Sequence, residues 1–358
     1  MRWLRAALLT LVGLVALLLL VPAAPLTGDG AGYVEFVRNG LQHGASTWHE
    51  RRLLGPAMVR VLPLDPLQGF RVLTLASLAA TALLTWRTVD QLSQADALLA
   101  IPLLLGTWVV APNLREYALV DPLAWAFVAA IWLCTVRRQW LMAAALAAIG
   151  VLAKEVVALA GVAAAAAAWD ARQPWRSVAV AAPALAVVLL LTLVLPGSGS
   201  DAGAYVAGWV RDGLASLGVP RALYFAFASY GALWLLLPAG WPALPRYLRR
   251  AGAVYVLAGL ALPLVGSPER MEEAIFPIVV TTAALAVGRL PAGAAWAVAL
   301  GNLLFLARVG GDAPIPPVVA WLGLASACGL ALFRPARAVA SRLSLRRAAP
   351  RGTTAPSR

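Results

Sequence analysis

Long apolar runs separated by short polar turns make up almost the whole of this chain. They lie at roughly 4–25, 67–86, 97–112, 118–136, 140–153, 156–169, 177–195, 222–239, 251–266, 275–288, 293–307 and 318–333. A run of about 20 apolar residues is long enough for a helix to cross a bilayer. With no water available to the backbone at that depth, repeated runs of this kind are read as helices and not as open strands. The pattern predicts an all-α polytopic membrane protein of about twelve transmembrane helices. The stretch 140–169 admits two readings: one long tilted helix, or two short helices meeting at Lys154-Glu155. One helix would invert every later loop; two preserve the charge distribution described below, and that version is adopted.

Two segments break the apolar pattern. The first external loop, 26–66, is densest over 27–56, where Asp29, Glu35, Arg38, Glu50, Arg51 and Arg52 occur with the only two histidines, His43 and His49. Within it Tyr33, Phe36, Val37 and Leu41 recur at helical spacing, so 31–42 reads as an amphipathic helix lying on the membrane plane. The second segment is the arginine-rich tail, 334–358, read as a disordered cytoplasmic extension near anionic lipid. The domain organisation is therefore one membrane domain, 1–333, plus this tail.

Composition supports the class. The chain is 61% hydrophobic and 13% charged, against about a quarter charged in soluble domains. The net charge of +13 raises the question of nucleic acid, but its distribution answers it. With the N-terminus inside and one crossing per run, inside loops and tail hold 18 basic residues and three acids. The outside holds the other 11 basic residues and 13 acids. That asymmetry is the positive-inside pattern of a multi-pass protein. It implies the cytoplasmic membrane, both termini cytoplasmic, membrane lipid as a partner and no nucleic acid. Cys134 and Cys328 both fall in apolar runs, so neither a disulfide frame nor a metal site is indicated. The first run, followed by Pro22–Pro25, reads as a retained helix and not as a cleaved signal.

The external loops gather the candidate chemistry: Asp29, Glu35 and Arg51-Arg52, then Arg115-Glu116 and Asp121, then Lys154-Glu155, then Glu269-Arg270 with Glu272-Glu273. Lys154 is the only lysine among 29 basic residues. A chain that otherwise uses arginine for its cations places one compact ammonium between two apolar helices; it suits a phosphate or a structural pairing with Glu155. Asp29, flanked by Gly28 and Gly30, suits a general base for a hydroxyl or an N-cap of the helix that follows. Arg51-Arg52 suit bidentate binding of phosphate or anchoring among headgroups. A metal site needs three or four converging ligands; His43, His49 and Glu50 do not establish one, and no metal ligand is assigned. No HExxH, GxSxG or Walker A motif is present.

The order GDGAGYVEFVRNGLQHG, ERRLLGPAMVRVLP, LREYALVDPLAWAFVAAIW, VLAKEVVAL, SPERMEEAIFPIVV resembles the GT-C superfamily of bacterial integral-membrane glycosyltransferases that use polyprenyl-phosphate sugars. The matching positions are Asp29, Tyr33, Arg52 with Pro56, Asp121-Pro122 and Lys154-Glu155. The resemblance implies a GT-C-like fold and an inverting transfer at the outer face, from a polyprenyl-phosphate sugar donor to a lipid-linked glycan, glycopolymer or protein acceptor. It implies Asp29 as the base, with Arg52, Lys154 and Arg270 on the lipid phosphate and Asp121 and Glu155 on sugar hydroxyls. Tyr33, Glu35, Arg51, Arg115, Glu116 and Glu269 complete the implied substrate-binding set. Many members carry two adjacent acids in the first loop, whereas Asp29 is followed by Gly30; no cofactor is assigned, and a divalent metal stays an open alternative. The competing class is a flippase or transporter of a lipid-linked glycan, which favours charges spread through the depth of the helices and symmetry between halves.

Overall fold

A computed structural model describes residues 1–21, 23–26, 28–40, 51–93, 96–107, 109–171, 173–194, 211, 229–231, 233–261 and 272–309. These residues are helical, with no strand among them. In chain order the helices are α1 Arg2–Leu20, α2 Gly28–Asn39, α3 Leu54–Arg60, α4 Pro66–Leu92, α5 Ala100–Leu105, α6 Val110–Arg115 and α7 Asp121–Val136. They continue as α8 Trp140–Val151, α9 Val157–Asp170, α10 Pro174–Val194, α11 Leu233–Gly240, α12 Arg246–Ala261, α13 Phe276–Val287 and α14 Ala292–Val309. Three of them, α1, α4 and α10, are long and apolar enough to cross a membrane unaided; the other apolar helices are shorter. The expected run at 318–333 and the basic tail lie outside the described residues.

Side-chain contacts fix the sense of the helices. Trp125 and Trp132 on α7 reach Glu273 and Thr281 in turn, so α7 and α13 run parallel. Ser177 at the start of α10 donates to the Ala165 carbonyl near the end of α9, and Asp170 at the end of α9 meets Arg246 and Arg250 at the start of α12. Successive long segments thus alternate in direction. One end of the bundle, here the site end, collects α2, α3, the start of α7, the α8–α9 turn and residues 272–275. The far end collects the start of α1, the ends of α7 and α9 and the start of α12.

Local chemistry explains where the elements begin and break. Asp65 caps α4 by accepting from the Leu67 N–H at 2.9 Å, and Pro66 opens the helix, the standard division of labour at an N-terminus. Along α4 the hydroxyls of Thr81, Thr85 and Thr88 donate to carbonyls one turn back. The residues therefore stay small and satisfied while α4 packs against α7. Gly240 is required for close packing: a Cβ there would lie 1.9 Å from the Thr282 carbonyl oxygen on α13.

The expected single span 97–112 is broken. A 3-10 turn at Ala97–Leu99 leads into α5, and α6 begins afresh at Val110. Pro102, Gly106 and Pro112 explain the break, since proline cannot continue the hydrogen-bond ladder. The freed carbonyls are recovered by side chains, as an apolar setting demands: Asn302 of α14 donates to Gly106 O at 2.9 Å, and Thr107 donates to Leu104 O at 2.6 Å.

The stretch 140–169 is two helices, joined through residues 152–156. At 1.5 Å per residue α8 and α9 span about 18 and 21 Å, whereas α10, which pairs with α9 from the same far end, spans about 31 Å.

Candidate active site

The site end is roofed by a small apolar cluster distinct from the main core. Tyr33, Val34 and Val37 of α2 pack with Val59 of α3, Phe70 and Leu73 of α4, Val120, Leu123 and Ala153. The amphipathic helix expected at 31–42 is present, beginning three residues earlier, and its apolar face is buried on protein. That earlier start also corrects the N-cap alternative for Asp29, which lies inside the first turn of α2. A carboxylate there is favoured by the positive end of the helix dipole. Asp29 is partly exposed, and together with Asp121 it lies within electrostatic reach of the Tyr33 phenol.

Beneath this roof sits an ionic network drawn from four segments distant in sequence. Arg52, 7% exposed, makes a two-pronged contact with Glu155: Nε donates to Oε2 at 3.0 Å and Nη2 to Oε1 at 2.6 Å. Its Nη1 donates to the Tyr33 hydroxyl at 3.0 Å. Lys154, 2% exposed, bonds to the fully buried Asp121 and lies 3.8 Å from Glu273 Oε2. Glu273 is itself fixed, since Trp125 Nε1 donates to its carboxylate at 3.3 Å and the Tyr230 hydroxyl donates to its carbonyl at 3.3 Å. Lys154 and Glu155 are thus not paired with each other. Adjacent in the turn, each is taken by a different helix end.

Electrostatics follow from this geometry. Burial pushes the Tyr33 phenol above its usual range and outweighs the opposing pull of Arg52, so the ring stays protonated. Burial acts to raise Glu155, but the Arg52 guanidinium and the Lys154 ammonium outweigh it and hold the carboxyl below the usual range. Burial likewise works against the Arg52 charge, and Glu155 and Tyr33 restore it and more. A carboxylate depressed in the folded state contributes stability above its unfolded pKa and loses that contribution as pH falls through the folded value. Wild-type protein is therefore expected to lose unfolding temperature below about pH 4 more steeply than Glu155→Gln. Thermal unfolding in detergent from pH 7 down to pH 3 measures this.

The remaining expected residues divide. Glu116 accepts the Gly30 N–H at 3.2 Å; a Cβ at position 30 would sit 2.4 Å from that oxygen and push the Glu116 carboxylate aside. The Arg115 carbonyl accepts from Ala24 N–H at 2.9 Å, which ties the end of α1 to α6. Arg51 is half-buried beside Arg52, and Glu35 lies on the exposed face of α2. His43, His49, Glu50, Glu269 and Arg270 lie outside the described residues. No group of three or more potential metal ligands occurs among the described residues. The sequence had the Glu272-Glu273 pair but not Glu273 as a site member. No local signal marked it: Glu273 stands in the short turn Glu272–Ile275, four residues before Pro277, whereas Asp121 opens its helix directly before Pro122. Arg71 was also missed; its guanidinium stacks over the Tyr117 ring at 4.5 Å and donates to that hydroxyl at 3.3 Å.

No protein-family model matches the chain, and no curated protein matches its sequence. Among solved structures the fold is similar to that of ArnT from Cupriavidus metallidurans bound to undecaprenyl phosphate. The TM-score is 0.54 and the identity 13%, over 91% of this chain and 74% of that one. The chain is an integral membrane protein with an ArnT-like fold.

Proposed function

We propose that this protein is an inverting membrane glycosyltransferase that moves a sugar from a polyprenyl-phosphate donor to a glycan or protein acceptor. The observation that carries the reading is the Arg52–Glu155–Tyr33 arrangement beside Lys154, in which Arg52 and Tyr33 are buried and Glu155 is partly exposed. It lies at the same bundle end as Asp29, in a fold shared with a protein solved with undecaprenyl phosphate. A guanidinium has five N–H groups. Glu155 and Tyr33 take three of those of Arg52, leaving two for a phosphate oxygen.

In the reaction, Asp29 accepts the proton of the acceptor hydroxyl as that oxygen attacks the anomeric carbon. The bond from that carbon to the phosphate oxygen breaks, and polyprenyl phosphate leaves with the electron pair. Arg52, with Arg51 and Lys154 near it, offsets the negative charge on the leaving group, the term that dominates in such sites. Asp121 and Glu155 serve the donor sugar as well as the network, and Tyr33 holds the guanidinium in plane. Glu35, Arg115, Glu116, Glu269 and Arg270 belong to the substrate-binding set of this reading. The site end faces the outside of the cytoplasmic membrane, twelve spans make up the domain 1–333, and both termini with the tail 334–358 are cytoplasmic.

Asp29→Asn tests the reading. It should lower transfer from membrane-extracted polyprenyl-phosphate sugars by on the order of a hundredfold while leaving undecaprenyl-phosphate binding and unfolding temperature unchanged. Turnover equal to wild type removes Asp29 as the base.

A further inference from the structure

We propose that the far end of the bundle carries a separate binding site for an anionic phospholipid headgroup. Three helix ends converge there. Arg137 and Arg138 close α7, both exposed. Arg138 adopts φ 58°, a left-handed conformation rare for a residue with a Cβ. Its guanidinium lies over the Tyr247 ring at 4.7 Å. Tyr247 in turn donates to the Val136 carbonyl at 2.9 Å, which ties α12 to α7. Asp170, at the end of α9, holds Arg246 Nε at 3.5 Å and Arg250 Nε at 3.3 Å. Arg249 Nε donates to the Leu244 carbonyl at 3.0 Å.

Five exposed guanidinia, those of Arg137, Arg138, Arg246, Arg249 and Arg250, thus gather at this end, and two of them pair with one nearly buried carboxylate. Of the other two acids on this side, Asp90 is held by Arg2 and Arg87, and Asp96 caps the turn at Ala97–Leu99 by accepting the Leu98 N–H. Apolar side chains flank the cations: Leu141 and Met142 at the start of α8, Trp169 beside Asp170, and Trp175 with Arg176 stacked over it at 4.9 Å. A soluble polyanion would match the charge alone. A glycerophospholipid matches both, with its phosphodiester on the arginine forks and its chains on Leu141, Met142 and Trp169. The helices α7, α9 and α12 run from this patch to the opposite end, so the site is distinct from the one around Arg52.

The test uses the full chain in neutral detergent. Dioleoyl phosphatidylglycerol is expected to raise the unfolding temperature, and dioleoyl phosphatidylcholine to leave it unchanged. Each arginine near an anionic surface contributes about fivefold in affinity. Arg137→Gln/Arg138→Asn should therefore need roughly 25-fold more phosphatidylglycerol for the same shift, as should Arg246→Gln/Arg250→Gln. The first variant leaves both Asp170 ion pairs intact, so a folding defect in the second does not leave the question open. Both variants should bind undecaprenyl phosphate like wild type. An unchanged phosphatidylglycerol response in the first variant overturns the proposal. So does an equal shift from glycerol 3-phosphate, which would mark a soluble-phosphate site, or from short single-stranded DNA, which would mark a general polyanion surface.

Discussion

Arg52→Ala is expected to cost about 1–3 kcal/mol of folding stability, read as a fall in unfolding temperature and in the yield of detergent-extracted protein. The reason is what the substitution leaves behind. Glu155, whose side chain is 36% exposed, would stay at the turn with no guanidinium against it, and the buried Tyr33 would lose its hydrogen-bond donor. A partly buried charge left without its partner costs more than an intact pair contributes, and replacing both partners with apolar groups is often close to neutral. Arg52→Met/Glu155→Met should therefore recover most of the stability. If Arg52→Ala unfolds at the wild-type temperature, the pair is a surface contact and the buried setting of Arg52 is wrong.

Lys154→Met is the second large effect. It would strand two buried carboxylates, Asp121 and Glu273, and a loss at the upper part of the 3–5 kcal/mol range for a broken buried pair, about 5, is expected. The variant Lys154→Met/Asp121→Asn/Glu273→Gln removes the charges together and should restore folding. Lys154→Arg keeps the cation, so it should retain more stability and more affinity for undecaprenyl phosphate than Lys154→Met. Equal loss in the two single variants would mean that the ammonium acts only through its size and fit.

Much of this was readable from the chain. Asp121-Pro122 announces a helix start because proline is favoured in the first turn, and α7 begins there. The lone lysine marks the turn that the site is built on. Two short helices at 140–169 follow from the charge distribution, and the structure has them. The partners were not readable. Lys154 and Glu155 are neighbours, yet they diverge to Asp121 and Arg52, because a turn sends successive side chains in different directions. The burial of Arg52 depended on Tyr33 of α2 and Glu155 of the α8–α9 turn meeting it, contacts between distant segments. Glu273 was hidden for the same reason: its value comes from α13 lying parallel to α7, which no local pattern encodes.

The most direct measurement is saturable binding of undecaprenyl phosphate to purified protein in detergent, comparing wild type with the folded Arg52→Met/Glu155→Met variant. Charge-assisted hydrogen bonds contribute about 1.5–3 kcal/mol each, so affinity should fall by about 10- to 100-fold in the variant while its unfolding temperature stays near wild type. Binding of equal strength in the two proteins, or no saturable binding to wild type, would contradict a lipid-phosphate site at Arg52.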